Sequence, residues 1–193
     1  MIFGETGGLR GQEIPQLVPE IAPWSGDEGS EWFHGCSLAC AFGWTVAAGS
    51  ALAPQGDNRY EAEKLDDGEF TTAWVEGVPG LGIGEWIEFR LDAEARGTGT
   101  GAVPFWGVAL VNGYAKTETA WRRNGRVKAL DVLVRGAPVA RLRLADSREA
   151  QFFSLKDVEV RPGDLVRFVI REVYPGSDHE DVAITELILH GAH

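Results

Sequence analysis

Positive charge is scarce in this chain. Eighteen lysines and arginines stand against 29 aspartates and glutamates, a net charge of -11 over 193 residues. Nucleic-acid binding needs a basic face, so nucleic acid is set aside as a partner, and the same imbalance disfavours an anionic membrane surface. No apolar run approaches the ~18 residues of a spanning helix, so membrane insertion is not expected. No amphipathic pattern runs longer than two helical turns. Nucleophilic catalysis has little to build on: there is no Gly-x-Ser-x-Gly elbow. The only histidines are His34, His179, His190 and His193, and nothing in their placement suggests a Ser-His-Asp arrangement. A signal peptide is also missing, since Met1-Ile2-Phe3 runs straight into Gly-Glu-Thr-Gly-Gly. The chain is then either cytoplasmic or exported with its signal removed.

Cysteine is limited to Cys36 and Cys40. Four residues apart, they can close a small disulfide in an oxidising compartment. With His34 they offer three zinc ligands where a structural site normally closes with four. Free or buried thiols are the third reading. The pair points towards export.

Abundant residues describe the rest. The apolar share of 44% and charged share of 24% are ordinary for a globular protein, and the length suits one domain with a full core. Twenty-five glycines, nine prolines and seven tryptophans fit a turn-rich β protein. Residues 1–35 read as an extended arm, with Pro15, Pro19 and Pro23 at four-residue spacing and Ile14, Leu17, Val18, Ile21 and Trp24 available to dock. The domain follows over 36–193. Strand alternation is clear at 85–91, 130–134, 141–144 and 165–171, while 105–111 and 182–189 are more continuously apolar, as central strands are. Turn-rich segments separate them, which predicts an antiparallel sandwich or barrel. Gly80-Leu81-Gly82-Ile83-Gly84 is not a dinucleotide loop, because a strand and not a helix follows it; a close approach to a neighbouring loop is expected there.

Leu65 to Trp74 is a short acidic turn running into an apolar strand. The oxygens of Asp67, Gly68 and Thr72 can converge on one point, the hard-oxygen environment that calcium prefers; an acidic turn without an ion is the alternative. Glu186 sits in the last strand, where Val182, Ile184 and Ile188 share its face. A carboxylate among apolar neighbours needs a cation or strong hydrogen bonds, which makes Glu186 a natural partner for an ion at the Asp67 turn. Asp178-His179-Glu180-Asp181 reads first as a solvated loop tip, with Asp181 entering the last strand.

Four blocks occur together: Asp67-Gly68 with Thr71-Thr72-Ala73-Trp74; Gly82-Ile83-Gly84-Glu85-Trp86-Ile87; Val111-Asn112-Gly113-Tyr114-Ala115-Lys116 with Trp121 to Lys128; and Val173-Tyr174-Pro175-Gly176 with Asp181 to Glu186. Their order and spacing resemble the NADase-type glycan-binding domain, a bacterial relative of the discoidin or factor 5/8 type C modules, over roughly residues 36–190. The resemblance implies an all-β, antiparallel jelly-roll β-sandwich with galactose-binding domain-like topology. It implies a structural calcium on Asp67, Thr72 and Glu186, with carbonyls near Leu65, Glu69 and Ala183 completing the shell. It also implies a glycan site in the loops at one end, where aromatic rings stack on a sugar and polar groups take its hydroxyls. The candidates are Asn112, Tyr114, Lys116, Trp121, Asn124, Arg126, Tyr174 and Asp181.

Each candidate has a plainer reading. Asn112-Gly113 and Asn124-Gly125 serve equally as turns, Arg126 and Asp181 as an ion pair between loops, and Trp74 and Trp86 as packing. The name of the family does not imply NAD cleavage here, since no room remains for a second, NAD-cleaving domain. The expectation is a non-catalytic carbohydrate-binding module, extracellular, on the cell surface or in the periplasm, with a glycan ligand. A protein-interaction or scaffold module is the alternative. A hydrolase would require a deep pocket lined by paired carboxylates.

Overall fold

Alternation at period two carries through to the strands of the computed structural model, which describes residues 14–24, 31–33, 37–95 and 101–191. Among these residues the strands are β1 Gln16–Leu17, β2 Glu20–Ala22, β3 Phe42–Ala48, β4 Trp74–Val75, β5 Trp86–Ala95 and β6 Val103–Asn112. After a short helix, α1 Glu118–Arg123, come β7 Gly125–Val134, β8 Ala137–Arg143, β9 Ala150–Ser154, β10 Glu159–Val160, β11 Leu165–Tyr174 and β12 Val182–Gly191. The expected strand segments fall on β5, β6, β7, β8, β11 and β12. On β11, Val166, Phe168 and Ile170 are buried, while Arg167 and Arg171 lie on the other side.

The strand path runs β2-β9-β6-β12-β7-β11-β5-β3. It is nearly all antiparallel, the exceptions being β1 on β8 and the first residues of β12 on β7. One main core joins the two halves, with Phe105, Leu110, Phe153 and Leu187 from one and Phe89, Val132, Phe168 and Ile170 from the other. This is a jelly-roll β-sandwich, the architecture expected from the sequence.

β12 departs from the predicted face. Val182 and Ile184 enter the main core, and so do Leu187 and Leu189, so alternation slips by one at Thr185. The slip sits where β12 stops pairing with β4 and β7 and begins pairing with β6. Glu186 therefore lies on the face opposite Val182 and Ile184, not on the same one.

Local glycines follow close approaches. Gly82 has φ +60°, and a Cβ there would meet the Glu76 carboxyl at 2.8 Å. The glycine loop thus presses on a neighbouring segment and leads into β5. Glu76 is fully buried, and its carboxylate accepts from the amides of Val78 (2.8 Å) and Val182 (3.3 Å). Of the residues in the N-terminal arm, 14–24 are extended: β1 pairs with β8, and β2 with β9. His34 and Cys36 lie outside the described residues, and with them the disulfide and zinc readings; Cys40 is exposed.

The outer face of β7, β8 and β11 is held by charge. Asp131 is buried and accepts from Arg141 Nε at 2.6 Å and Arg171 Nε at 2.7 Å. Burial pushes the Asp131 carboxyl up, but the hydrogen bonds and charges of Arg141 and Arg171 outweigh it and hold it below the usual carboxylate range. A lowered carboxyl contributes stability above its unfolded pKa, and that contribution is lost as pH falls through the folded value. Both guanidiniums are partly exposed, which keeps the effect modest. Asp131→Asn is expected to cost about 2 kcal/mol at neutral pH, measured by urea unfolding. The gap to the native chain should narrow below about pH 4.

Candidate functional site

β6 ends at Asn112, and the chain turns at Gly113 with φ +76°. Only glycine suits this position, because a Cβ would also meet the side chains of Trp121 and Arg126 at 2.7 Å. Helix α1 follows, opened by the Thr117 hydroxyl accepting from the Ala120 amide at 3.0 Å and closed by Asn124 Nδ2 donating to the Ala120 carbonyl at 2.8 Å. Trp121 anchors it. The indole Nε1 donates to the Asn112 carbonyl at 2.9 Å, and the Arg126 guanidinium sits 4.7 Å over the ring.

Around this anchor lies a cavity of about 180 Å³. Tyr60 and Tyr114 stand edge to face with ring centroids 6.4 Å apart, and Leu52, Val75 and Ala120 give apolar lining. Gln55, Arg123, Asn124, His179 and Asp181 supply amide, guanidinium, imidazole and carboxylate groups. Burial, with a smaller contribution from Tyr60, raises the Tyr114 phenol above its usual value, so it stays protonated at neutral pH and can both donate and accept. The segment 178–181 is latched to α1: Arg123 Nε donates to Asp178 Oδ2 at 2.8 Å, and the His179 amide donates to the Arg123 carbonyl at 2.9 Å.

The eight sugar-site candidates separate on this geometry. Tyr114, Asn124 and Asp181 line the cavity. Asn112, Trp121 and Arg126 stand behind it. Asn112 is fully buried, and its amide exchanges two hydrogen bonds with the Val127 backbone at 2.7 and 3.0 Å. Arg126 binds Asp146 through two nitrogens (2.9 and 3.1 Å) and donates to the carbonyls of Asn124 and Pro175. Its carboxylate partner is therefore Asp146 and not Asp181. Lys116 Nζ lies 3.5 Å from Asn58 Oδ1, and the Tyr174 hydroxyl donates to the Leu144 carbonyl at 3.0 Å; neither residue lines the cavity. Trp74 and Trp86 are packing residues: Trp74 is fully buried, and Trp86 lies under Arg167 at 4.4 Å. Gln55, Tyr60 and Arg123 were not anticipated. Tyr60 carried a signal, being one of only three tyrosines and lying just after the Gly56-Asp57-Asn58 turn.

A second feature lies at the turn after the 3-10 segment Ala62–Leu65. The Thr72 hydroxyl is 3.0 and 2.8 Å from the two Asp67 carboxylate oxygens and 3.1 Å from the Glu69 carbonyl. One hydroxyl proton serves only one of those acceptors at a time, so oxygen is in excess. Lys64 Nζ, at 3.1 Å from Asp67 Oδ2, offsets part of the charge. Glu186 is 1% exposed, and its Oε1 has no hydrogen-bond partner among the described residues. Burial pushes the Glu186 carboxyl up to about 9, with the charges of Asp67 and Asp66 adding to the effect. The Ala183 carbonyl, expected in the same cluster, instead accepts from the Gly113 amide at 3.1 Å. No group of three or more His, Cys, Asp or Glu side chains forms a metal site among the described residues. The cluster is two carboxylates supplemented by hydroxyl and carbonyl oxygen, the hard donor set of calcium and not of zinc.

Comparison with known proteins places this geometry. The model of the family described as NAD glycohydrolase translocation F5/8 type C domain matches residues 40–190. No curated protein matches the chain. Among solved structures, the chain is similar to the CpGH89CBM32-5 module of Clostridium perfringens, solved in complex with GalNAc-β-1,3-galactose: 16% identity, 76% of this chain and 94% of that one, TM-score 0.56. It is similar to the CBM32-1 and CBM32-2 domains of ZmpB from the same organism, at 10% identity over 92% of this chain and 41% of that one, TM-score 0.62. The family 32 carbohydrate-binding module of Streptococcus pneumoniae EndoD matches at 14% identity over 78% and 97%, TM-score 0.53. At these identities the likeness is one of fold. The family match runs through the Asp67 turn and through every loop that lines the Tyr60–Tyr114 cavity, and the chain belongs to the NAD glycohydrolase translocation F5/8 type C domain family.

Proposed function

We propose that the chain is a non-catalytic glycan-binding module whose ligand enters the Tyr60–Tyr114 cavity. The observation that carries this reading is the pairing of two aromatic rings with amide, guanidinium, imidazole and carboxylate groups in one depression. Such a set suits a sugar, with ring C–H groups against an aromatic face and hydroxyls bonded at the edge. Small-molecule clefts usually enclose about 300–1,000 Å³; at about 180 Å³ the cavity takes one sugar ring. Asp181 is the only carboxylate lining it among the described residues, and hydrolysis of a glycosidic bond generally uses two. The C. perfringens module solved with a disaccharide shares the fold, which supports the same ligand class here. A glycan ligand also favours a location outside the cell, on its surface or in the periplasm.

Calcium is the second part of the proposal. Asp67, Thr72 and Glu186, with the carbonyls of Leu65 and Glu69, would hold it, and its charge would satisfy the orphaned Glu186 oxygen and join the turn to β12. The role is structural. A protein-interaction module is the competing reading, favoured by Val18 and Ile21 on the arm, which are 77% and 50% exposed.

The two parts are tested separately. On a glycan array the native chain should bind a defined sugar class, and Tyr114→Ala should weaken that binding about ten-fold or more, roughly 1.4 kcal/mol. A folded chain that binds no glycan would favour the protein-interaction reading.

For calcium the pH sign is specific. The folded carboxyl of Glu186 is raised to about 9 from 4.5, so the metal-free folded state keeps a proton that the unfolded state releases. That stability is complete below about pH 4.5 and falls as pH rises towards 9. In chelator, the melting temperature should therefore drop between about pH 5 and pH 9. Millimolar calcium should abolish the drop, and Glu186→Gln should remove both effects. Identical melting curves with and without calcium across that range would refute the metal site.

A further inference from the structure

The opposite end of the sandwich carries a second depression of about 510 Å³, where β6 begins. Pro104, Trp106, Arg135, Leu155, Asp157 and Glu159 are among its lining residues. Trp106 is 41% exposed and is the one tryptophan among the large exposed apolar residues described. It is also rigid. Phe152 and His190 brace the indole, with ring centroids 5.8 and 5.3 Å away, and His190 Nε2 lies 2.8 Å from the Trp32 carbonyl. Phe152 in turn packs over Gly107, where a Cβ would fall 2.3 Å from its ring.

The polar lining is unusual in two ways. Arg135 and Asp157 are the only described non-glycine residues with positive φ, at 52° and 57°, and both line this depression. Arg135 and Gly136 form the two-residue turn between β7 and β8 with φ positive at both positions, a turn that favours Asn-Gly. Arginine stands there at a conformational cost that asparagine would reduce. Second, these groups keep spare hydrogen-bonding capacity. Arg135 Nη1 contacts the Glu159 carbonyl (3.3 Å) and Asp164 Oδ2 (2.5 Å), while its Nε and Nη2 have no partner among the described residues. The carboxylates of Asp157 and Glu159 likewise make no hydrogen bond or ion pair among them.

We propose that this end is a second carbohydrate site, in which a neutral pyranose stacks on Trp106 while Asp157 and Glu159 accept from its hydroxyls and Arg135 donates to them. A fixed, exposed indole presents an apolar face at little entropic cost. Two carboxylates against one guanidinium disfavour acidic sugars. The site stands on its own residues and does not rest on the Tyr60–Tyr114 cavity. With ligands at both ends, one chain could bridge two glycans, multiplying weak single-site affinities.

The test uses immobilised neutral sugars (galactose, N-acetylgalactosamine, N-acetylglucosamine and glucose) and the full chain in five forms: native, Tyr114→Ala, Arg135→Asn, and Tyr114→Ala combined with either Trp106→Ala or Arg135→Asn. Binding that survives Tyr114→Ala and falls about a further ten-fold or more when Trp106→Ala is added supports the second site. Arg135→Asn guards against misfolding, because asparagine suits the turn: the variant should melt no lower than the native chain and yet bind several-fold more weakly when combined with Tyr114→Ala. Loss of all binding with Tyr114→Ala alone overturns the second site and leaves the first intact. No binding of any neutral sugar by the folded native chain overturns the second site, while the first is judged on the full glycan array.

Discussion

The buried hydroxyl of Thr185 donates to the Gly113 carbonyl at 2.7 Å and accepts from the Ala115 amide at 2.9 Å. Through these two bonds the last strand holds the chain that leaves β6, at the point where its own alternation slips. Before Thr185, β12 contributes Val182 and Ile184 to the main core beside the cavity. After it, Glu186 turns to the opposite face, towards the acidic turn, while Leu187 and Leu189 regain the core. Both candidate sites depend on that slip. A strand with unbroken alternation would place Glu186 in the main core or expel Leu187 from it, either at substantial cost in buried charge or lost burial.

The end of the sandwich near the cavity is stiffened by groups that never reach its surface. Asn112 joins β6 to β7 through its amide, Trp121 hangs α1 from the Asn112 carbonyl, and Arg126 closes the stack against Asp146. A helix of six residues is too short to persist by itself. Here it is fixed by one buried indole, and that lets the helix end and its flanking loops present Tyr114, Arg123 and Asn124 in a set geometry. Binding groups that are already ordered lose less freedom when a ligand arrives.

Much of this was legible in the sequence, and the misses have a common cause. Period-two patterns located the strands because they are local, and the Asp67 turn and the Glu186 carboxylate stood out because each broke an apolar context. The family resemblance added the end loops as the place to look. What could not be read was pairing at a distance. Arg126 and Asn112 read from the sequence as sugar contacts, with an Arg126–Asp181 ion pair and an Asn-Gly turn as the plainer alternatives; Asp146 instead reaches Arg126 across a different loop, and Asn112 is a buried strut. Tyr60 joined the cavity from a segment that composition marks only as a turn. The slip at Thr185 depends on where β12 exchanges partners, which no single strand records.

The arm has a consequence of its own. Within residues 14–24, two very short strands finish the borders of both layers: β1 lies along β8, and β2 along β9. Bare borders are templates on which strands of other chains can grow. Since a single ribbon hems both, the two borders are sealed or opened together. The β8 and β9 borders therefore share one seam, and undoing it would offer both of them at once to strands of neighbouring molecules.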